Sequence, residues 1–131
     1  MISCATSGEK IEDLNVSLVR LQKLADTSLP VARRKVSRNG REFYSVPFIT
    51  EKGQFVKAED SRVRMTAIIK VLGDRRPYTM EIQVVKEARG QSGFEQVGYD
   101  EGLARVIRRR IQKALVQRRE DRNIIDDFKA F

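Results

Sequence analysis

The stretch RVRMTAIIKVLGDRRPYTMEIQVVKEA constrains this chain more than any other. Val63, Met65, Ala67, Ile69 and Val71 alternate with Arg62, Arg64, Thr66, Ile68 and Lys70. Beyond an interruption, Tyr78, Met80, Ile82 and Val84 alternate with Thr79, Glu81, Gln83 and Val85. A period of two places one apolar set on one face of a strand. A loop at Gly73-Asp74-Arg75-Arg76 predicts an antiparallel hairpin. In it Val71 faces Tyr78, Ile69 faces Met80, Ala67 faces Ile82 and Met65 faces Val84. The other face then sets Arg62 against Glu87, Thr66 against Gln83 and Lys70 against Thr79. The apolar face of such a ribbon must be covered by another layer.

Two segments have the helical period needed to cover it. In EKIEDLNVSLVRLQKLAD, residues Ile11, Leu14, Leu18, Leu21 and Ala25 recur at three- and four-residue steps, with Leu24 beside them. Thr6 and Glu9 have capping-box spacing, so the helix is expected from residue 9, and Leu29-Pro30 ends it. A second helix is expected from Tyr99-Asp100-Glu101, with a stripe of Leu103, Ile107, Ile111, Ala114 and Leu115. Asp100 and Glu101 suit the positive end of its dipole. It is expected to run to about residue 119, with residues 120–131 as a helical extension or tail that Ile124, Ile125 and Phe128 can anchor.

Shorter strand signals lie between the first helix and the hairpin. Asn39-Gly40 is a tight-turn pair between residues 31–37 and 41–49. Pro47 favours an edge position, and Lys52-Gly53 offers a further turn before residues 54–57. Gly90-Gln91-Ser92-Gly93 breaks the strand pattern. The expected fold is therefore α+β: an antiparallel sheet of three to four strands, flanked by an N-terminal and a C-terminal helix packed on one face, with the other face polar and wet. At 131 residues the chain suits one core. The expected organisation is a tether at residues 1–8 and a single domain at 9–119.

The chemistry is bounded by what is scarce. Histidine and tryptophan are absent and Cys4 is the only cysteine. Imidazole-activated nucleophiles and most zinc sites are thereby removed, as is an intramolecular disulfide. Gly90-Gln91-Ser92-Gly93 lacks the lysine and spacing of a phosphate loop. Glu59-Asp60 and Asp126-Asp127 are sequence neighbours, which point apart on a helix or strand and make poor acid/base pairs. No catalytic residue, metal site or cofactor is expected, and the chain reads as a non-enzyme. The longest apolar runs, such as Ala67-Ile68-Ile69, are far short of the ~20 residues that span a bilayer.

The charge is informative: 26 Lys+Arg against 18 Asp+Glu, formally +8. Such a chain is drawn to nucleic acid, anionic lipid, lipopolysaccharide phosphates or acidic protein faces. The densest cluster is Arg105, Arg108, Arg109, Arg110, Lys113, Arg118 and Arg119 on the last helix. Arg105, Arg109 and Lys113 are successive four-residue neighbours on one ridge. A second group, Arg33, Arg34, Lys35, Arg38 and Arg41, surrounds the Asn-Gly turn, and Arg75-Arg76 forms a third. The candidate anion- or partner-binding residues are Arg105, Arg108, Arg109 and Lys113, with Arg33, Arg34, Arg38 and Arg41. Phe43 lies near the second group, where core or edge packing is expected over a base-stacking role.

Two resemblances bear on function. The helix-strands-helix order resembles the double-stranded RNA-binding domains, which implies a small cytoplasmic RNA- or DNA-binding role using the last helix and the turn around residues 33–41. The chain departs from that pattern at Asp100-Glu101, where the family has a lysine cluster, and in its greater length. Met1-Ile2-Ser3-Cys4 resembles a bacterial lipobox, with Ala5-Thr6-Ser7-Gly8 as the polar tether that follows. This implies lipidation of Cys4 and a place on the periplasmic face of a bacterial membrane, the outer membrane first. The charged and apolar segments of a signal peptide do not occur ahead of Cys4 in this numbering, so the resemblance implies a mature or recombinant form. Within lipoproteins, the long strands at residues 62–72 and 78–88 followed by a terminal helix are similar to the lipopolysaccharide-assembly lipoprotein family, which plugs a β-barrel translocon. That family has an initial strand before its first helix, and the periodicity here shows none. The leading expectation is a non-enzymatic, periplasm-facing envelope lipoprotein acting as an accessory, assembly or binding factor. Its partner would be an envelope protein, or anionic lipid or lipopolysaccharide, met through the basic C-terminal helix.

Overall fold

A computed structural model describes residues 8–129, with side chains through residue 116. The hairpin is its spine. Strands β6 (Val63–Leu72) and β7 (Tyr78–Gly90) pair antiparallel along the whole of β6. Their register lies two residues from the sequence expectation: Val71 faces Met80, Ile69 faces Ile82, Ala67 faces Val84 and Arg64 faces Glu87. A two-residue slip leaves every side chain on its face, so the apolar pattern is equally satisfied by both registers. The polar face separates them. The observed register sets Lys70 opposite Glu81 and Arg64 opposite Glu87, two opposite-charge pairs. It also leaves Pro77, which has no N–H to give a ladder, in the loop ahead of β7.

The rest of the sheet is larger than three or four strands. It holds eight, in the order β1-β7-β6-β3-β2, with β8 also on β7, β4 on β6 and β5 on β4. Strand β1 (Glu9–Leu14) occupies the segment expected to begin the first helix. It pairs with the start of β7 through Glu9–Ile82, Lys10–Glu81, Ile11–Met80 and Leu14–Tyr78. An irregularity between Ile11 and Leu14 turns both inward although they are three residues apart, and Asp13 takes φ 57. That spacing also fits a helix, which is why the strand was hidden. The helix proper, α1, is Leu18–Ser28, capped by Ser17, whose hydroxyl accepts the Arg20 N–H at 3.3 Å. Ser17, not Thr6, is thus the cap. Leu21, Leu24, Ala25 and Ser28 are buried, and the chain turns extended at Leu29 before Pro30.

Strands β2 (Arg33–Val36) and β3 (Glu42–Ser45) meet through the expected turn, where Gly40 takes φ 69. Asn39 Oδ1 accepts the Arg41 N–H at 3.0 Å and steadies that turn. Pro47 divides the expected second strand, so that β4 (Phe48–Glu51) is a separate element paired with β5 (Gln54–Lys57). Lys52 (φ 51) and Gly53 (φ 78) form their two-residue turn. Where Pro47 interrupts the ladder, buried Ser45 completes it: its Oγ accepts the Ala67 N–H at 2.9 Å and donates to the Val46 carbonyl at 2.9 Å. Gly90-Gln91-Ser92-Gly93 is a tight hairpin turn rather than the end of the sheet. It leads into β8 (Gly93–Tyr99), which pairs with the second half of β7.

Helix α2 (Glu101–Lys129) starts where the sequence predicts and includes most of the expected extension. Asp100 Oδ1 accepts the Leu103 N–H at 3.0 Å as its cap. Ala104, Ile107 and Ile111 are buried in one core with Leu21 and Leu24 of α1 and Met65, Ala67, Ile69, Val71, Met80, Ile82 and Val84 of the sheet. Phe43 and Phe48 belong to the same core, so Phe43 packs inward. Both helices cover one face of an antiparallel sheet, and the fold is α+β.

Candidate functional site

The basic residues of α2 project in three directions, set by the 3.6-residue turn. Ile107 and Ile111 fix the inward face. Arg108 leaves one flank and meets β1, its Nη1 2.7 Å from Glu9 Oε1. Arg110 leaves the other flank and stacks on the Phe55 ring of β5, 5.2 Å from its centroid. Arg105, Arg109 and Lys113 lie opposite the isoleucines and are exposed. Among the described residues none of these three has an ion-pair or cation–π partner. Val106 (42% exposed) and Val116 (55%) share the outer side with them. No acidic residue occurs anywhere in residues 102–116. Arg118 and Arg119 have side chains outside the described residues.

The turn group behaves differently. Arg33 pairs with Asp26 of α1 at 3.3 Å. Arg41 Nη1 donates to the Gly73 carbonyl at 2.6 Å, and its guanidinium lies 5.7 Å from the Tyr78 ring centroid. It braces the β2–β3 turn against the β6–β7 loop. Lys35 sits over the Tyr44 ring at 4.6 Å. Arg34 and Arg38 are exposed, with no ion pair among the described residues. The two basic groups do not form one surface. Helix α2 packs on β1 and β7, whereas β2 is the far edge, four strand spacings from β1 and so about 19 Å away.

The uncovered sheet face is not a basic platform. Across it, Glu42, Lys70, Glu81 and Lys10 stand opposite one another in turn, with alternating sign. Arg64 lies 3.7 Å from the Phe94 centroid and 3.2 Å from Glu87 Oε1, riveting β6, β7 and β8. Tyr44 donates its hydroxyl to Glu42 Oε1 at 2.7 Å. That hydrogen bond, then burial and the nearby carboxylate charge, raises the Tyr44 pKa above its ordinary value.

Sequence reading missed one concavity. Leu14, Val16, Arg20, Leu24, Arg76, Leu115 and Val116 are among the residues lining an open groove of about 840 Å3 between the β1–α1 connection and the two helices. Arg20 and Arg76 reach it from elements far apart in sequence. Among the described residues no group of three His, Cys, Asp or Glu side chains could hold a metal, and no helix is long and apolar enough to cross a membrane. Cys4 lies outside the described residues. No protein-family model, no curated protein and no solved structure matches the chain.

Proposed function

We propose that this chain is a non-enzymatic envelope lipoprotein of the periplasmic face of a bacterial outer membrane, anchored through Cys4, that acts as an accessory or assembly factor through α2. The observation that carries the reading is the outward ridge Arg105–Arg109–Lys113. It concentrates three exposed cations on one side of a helix whose flanking arginines are engaged inside the fold. Uncompensated like charges at four-residue spacing cost a few tenths of a kcal/mol per pair, a cost that an anionic partner removes. Strand β1 adds support: it provides the strand ahead of the first helix that the lipopolysaccharide-assembly lipoproteins have.

Intact-mass measurement of the chain isolated from its native host tests the anchor. A diacyl or triacyl mass on Cys4, and movement of a Cys4→Ser variant from the membrane to the soluble fraction, are the expected results. An unmodified Cys4 with unchanged fractionation would overturn the reading. A steeply salt-dependent shift of short RNA or DNA by that unmodified chain would favour the nucleic-acid role instead.

A further inference from the structure

From the position of the ridge relative to the N-terminus, we infer that the outward face of α2 lies directly on an anionic phospholipid surface, with Arg105, Arg109 and Lys113 bonding lipid phosphates. The inference rests on the anchoring of Cys4 for which membrane is near, and on the structure for which face meets it. Cys4 stands five residues before Glu9, and a chain of that length reaches at most about 17 Å. Glu9 is not at a remote end of the domain. It is held by Arg108 at 2.7 Å, within one turn of both Arg105 and Arg109. A lipid anchor at Cys4 therefore keeps the bilayer within reach of the middle of α2, where Arg105 and Arg109 flank the Arg108–Glu9 pair.

The chemistry of the face fits a headgroup layer. Guanidinium forks match phosphate oxygens. On this ridge Glu101 stands one turn ahead of Arg105, and residues 102–116 carry no further carboxylate to repel phosphate. Val106 and Val116, exposed among the cations, give the face apolar side chains that can enter the boundary between headgroups and acyl chains. Arg34 lies on β2 and Arg38 in the turn that follows it, at the other end of the strand order from β1.

The test uses the full chain carrying Cys4→Ser, so that binding is read without the anchor. Sedimentation with vesicles of phosphatidylcholine alone, or with about one third phosphatidylglycerol, measures partitioning at ~0.1 M salt. Binding is expected only to the anionic vesicles. It should fall roughly 100-fold in Arg105→Gln/Arg109→Gln/Lys113→Gln, at near fivefold per basic residue. A variant with the same loss of charge at the far edge strand, Arg34→Gln/Lys35→Gln/Arg38→Gln, should retain binding within about threefold, because the contact is local. All three ridge residues are exposed, so an unchanged melting temperature verifies folding. Absence of anionic-vesicle binding, an equal loss in both triple variants, or binding to short RNA or an acidic protein without binding to vesicles would each overturn the inference. An unacylated Cys4 in the native host would bring down the anchoring reading alone, leaving the vesicle result to stand or fall separately.

Discussion

The two faces of the sheet use the same strands for different ends. On the covered face Met65, Ala67, Ile69 and Val71 meet Met80, Ile82 and Val84 beneath the helices. On the uncovered face the row Glu42, Lys70, Glu81, Lys10 alternates in sign, and Arg64 joins Glu87 and Phe94. The covered face decides that the chain folds, since burial scales with apolar area and is indifferent to a slip by two residues. The uncovered face favours the register it folds into, since the observed alignment sets two cations against carboxylates where the slipped one sets only Arg62 against Glu87. Stability and specificity are thus divided between the two sides of one hairpin.

The division can be tested in order of expected size. Phe48→Ala empties a fully buried site on the covered face and should cost ~3–5 kcal/mol by chemical denaturation. A loss below ~1 kcal/mol would mean the core collapses around the gap. Ser45→Ala removes the acceptor of the Ala67 N–H where no backbone carbonyl replaces it, with an expected cost of about 1–3 kcal/mol. On the uncovered face Arg64→Ala should cost no more than about 1 kcal/mol, for a partly exposed ion pair and one aromatic contact. Lys70→Glu places three carboxylates in one row. It should cost a few tenths of a kcal/mol to about 1 kcal/mol and broaden amide signals of β6 and β7 as registers compete.

The smallest effect concerns pH. Because the Tyr44 pKa is raised in the folded state, folding favours the neutral phenol. That contribution is fully present below the unfolded value near 10 and is lost as pH climbs through the higher folded value. Glu42→Gln should lower the Tyr44 titration midpoint toward the ordinary value, read from its ring carbon shifts. A midpoint unmoved by Glu42→Gln would show that the carboxylate is not the cause.

These contrasts also explain what could be read from sequence. The long hairpin was legible because one of its faces is wholly buried, so alternation appears in the residue types. The start of α2 was legible because Asp100 and Glu101 suit the positive end of a helix dipole, and the structure adds that Asp100 is also its cap. Strand β1 was not, because the irregularity after Ile11 breaks the alternation and leaves a three-residue step that imitates a helix. Strand β8 was not, because most of its side chains are exposed and no apolar set marks a buried face. For the site, the ridge on α2 followed from spacing alone. The engagement of Arg108, Arg110 and Arg41 did not, since each finds its partner on an element distant in the chain.

Strand β1 leaves the last word to time. Its partners in β7 come after more than half of the chain, so Ile11 and Leu14 stay without cover while a chain emerging N-terminus first is still being extended. The hairpin of β6, β7 and β8 needs only neighbours in sequence and is free to form before β1 closes the sheet. Ile11 and Leu14 therefore gain their strand partners only once Met80 and Tyr78 have been made, which separates the making of β1 from its seating in the sheet.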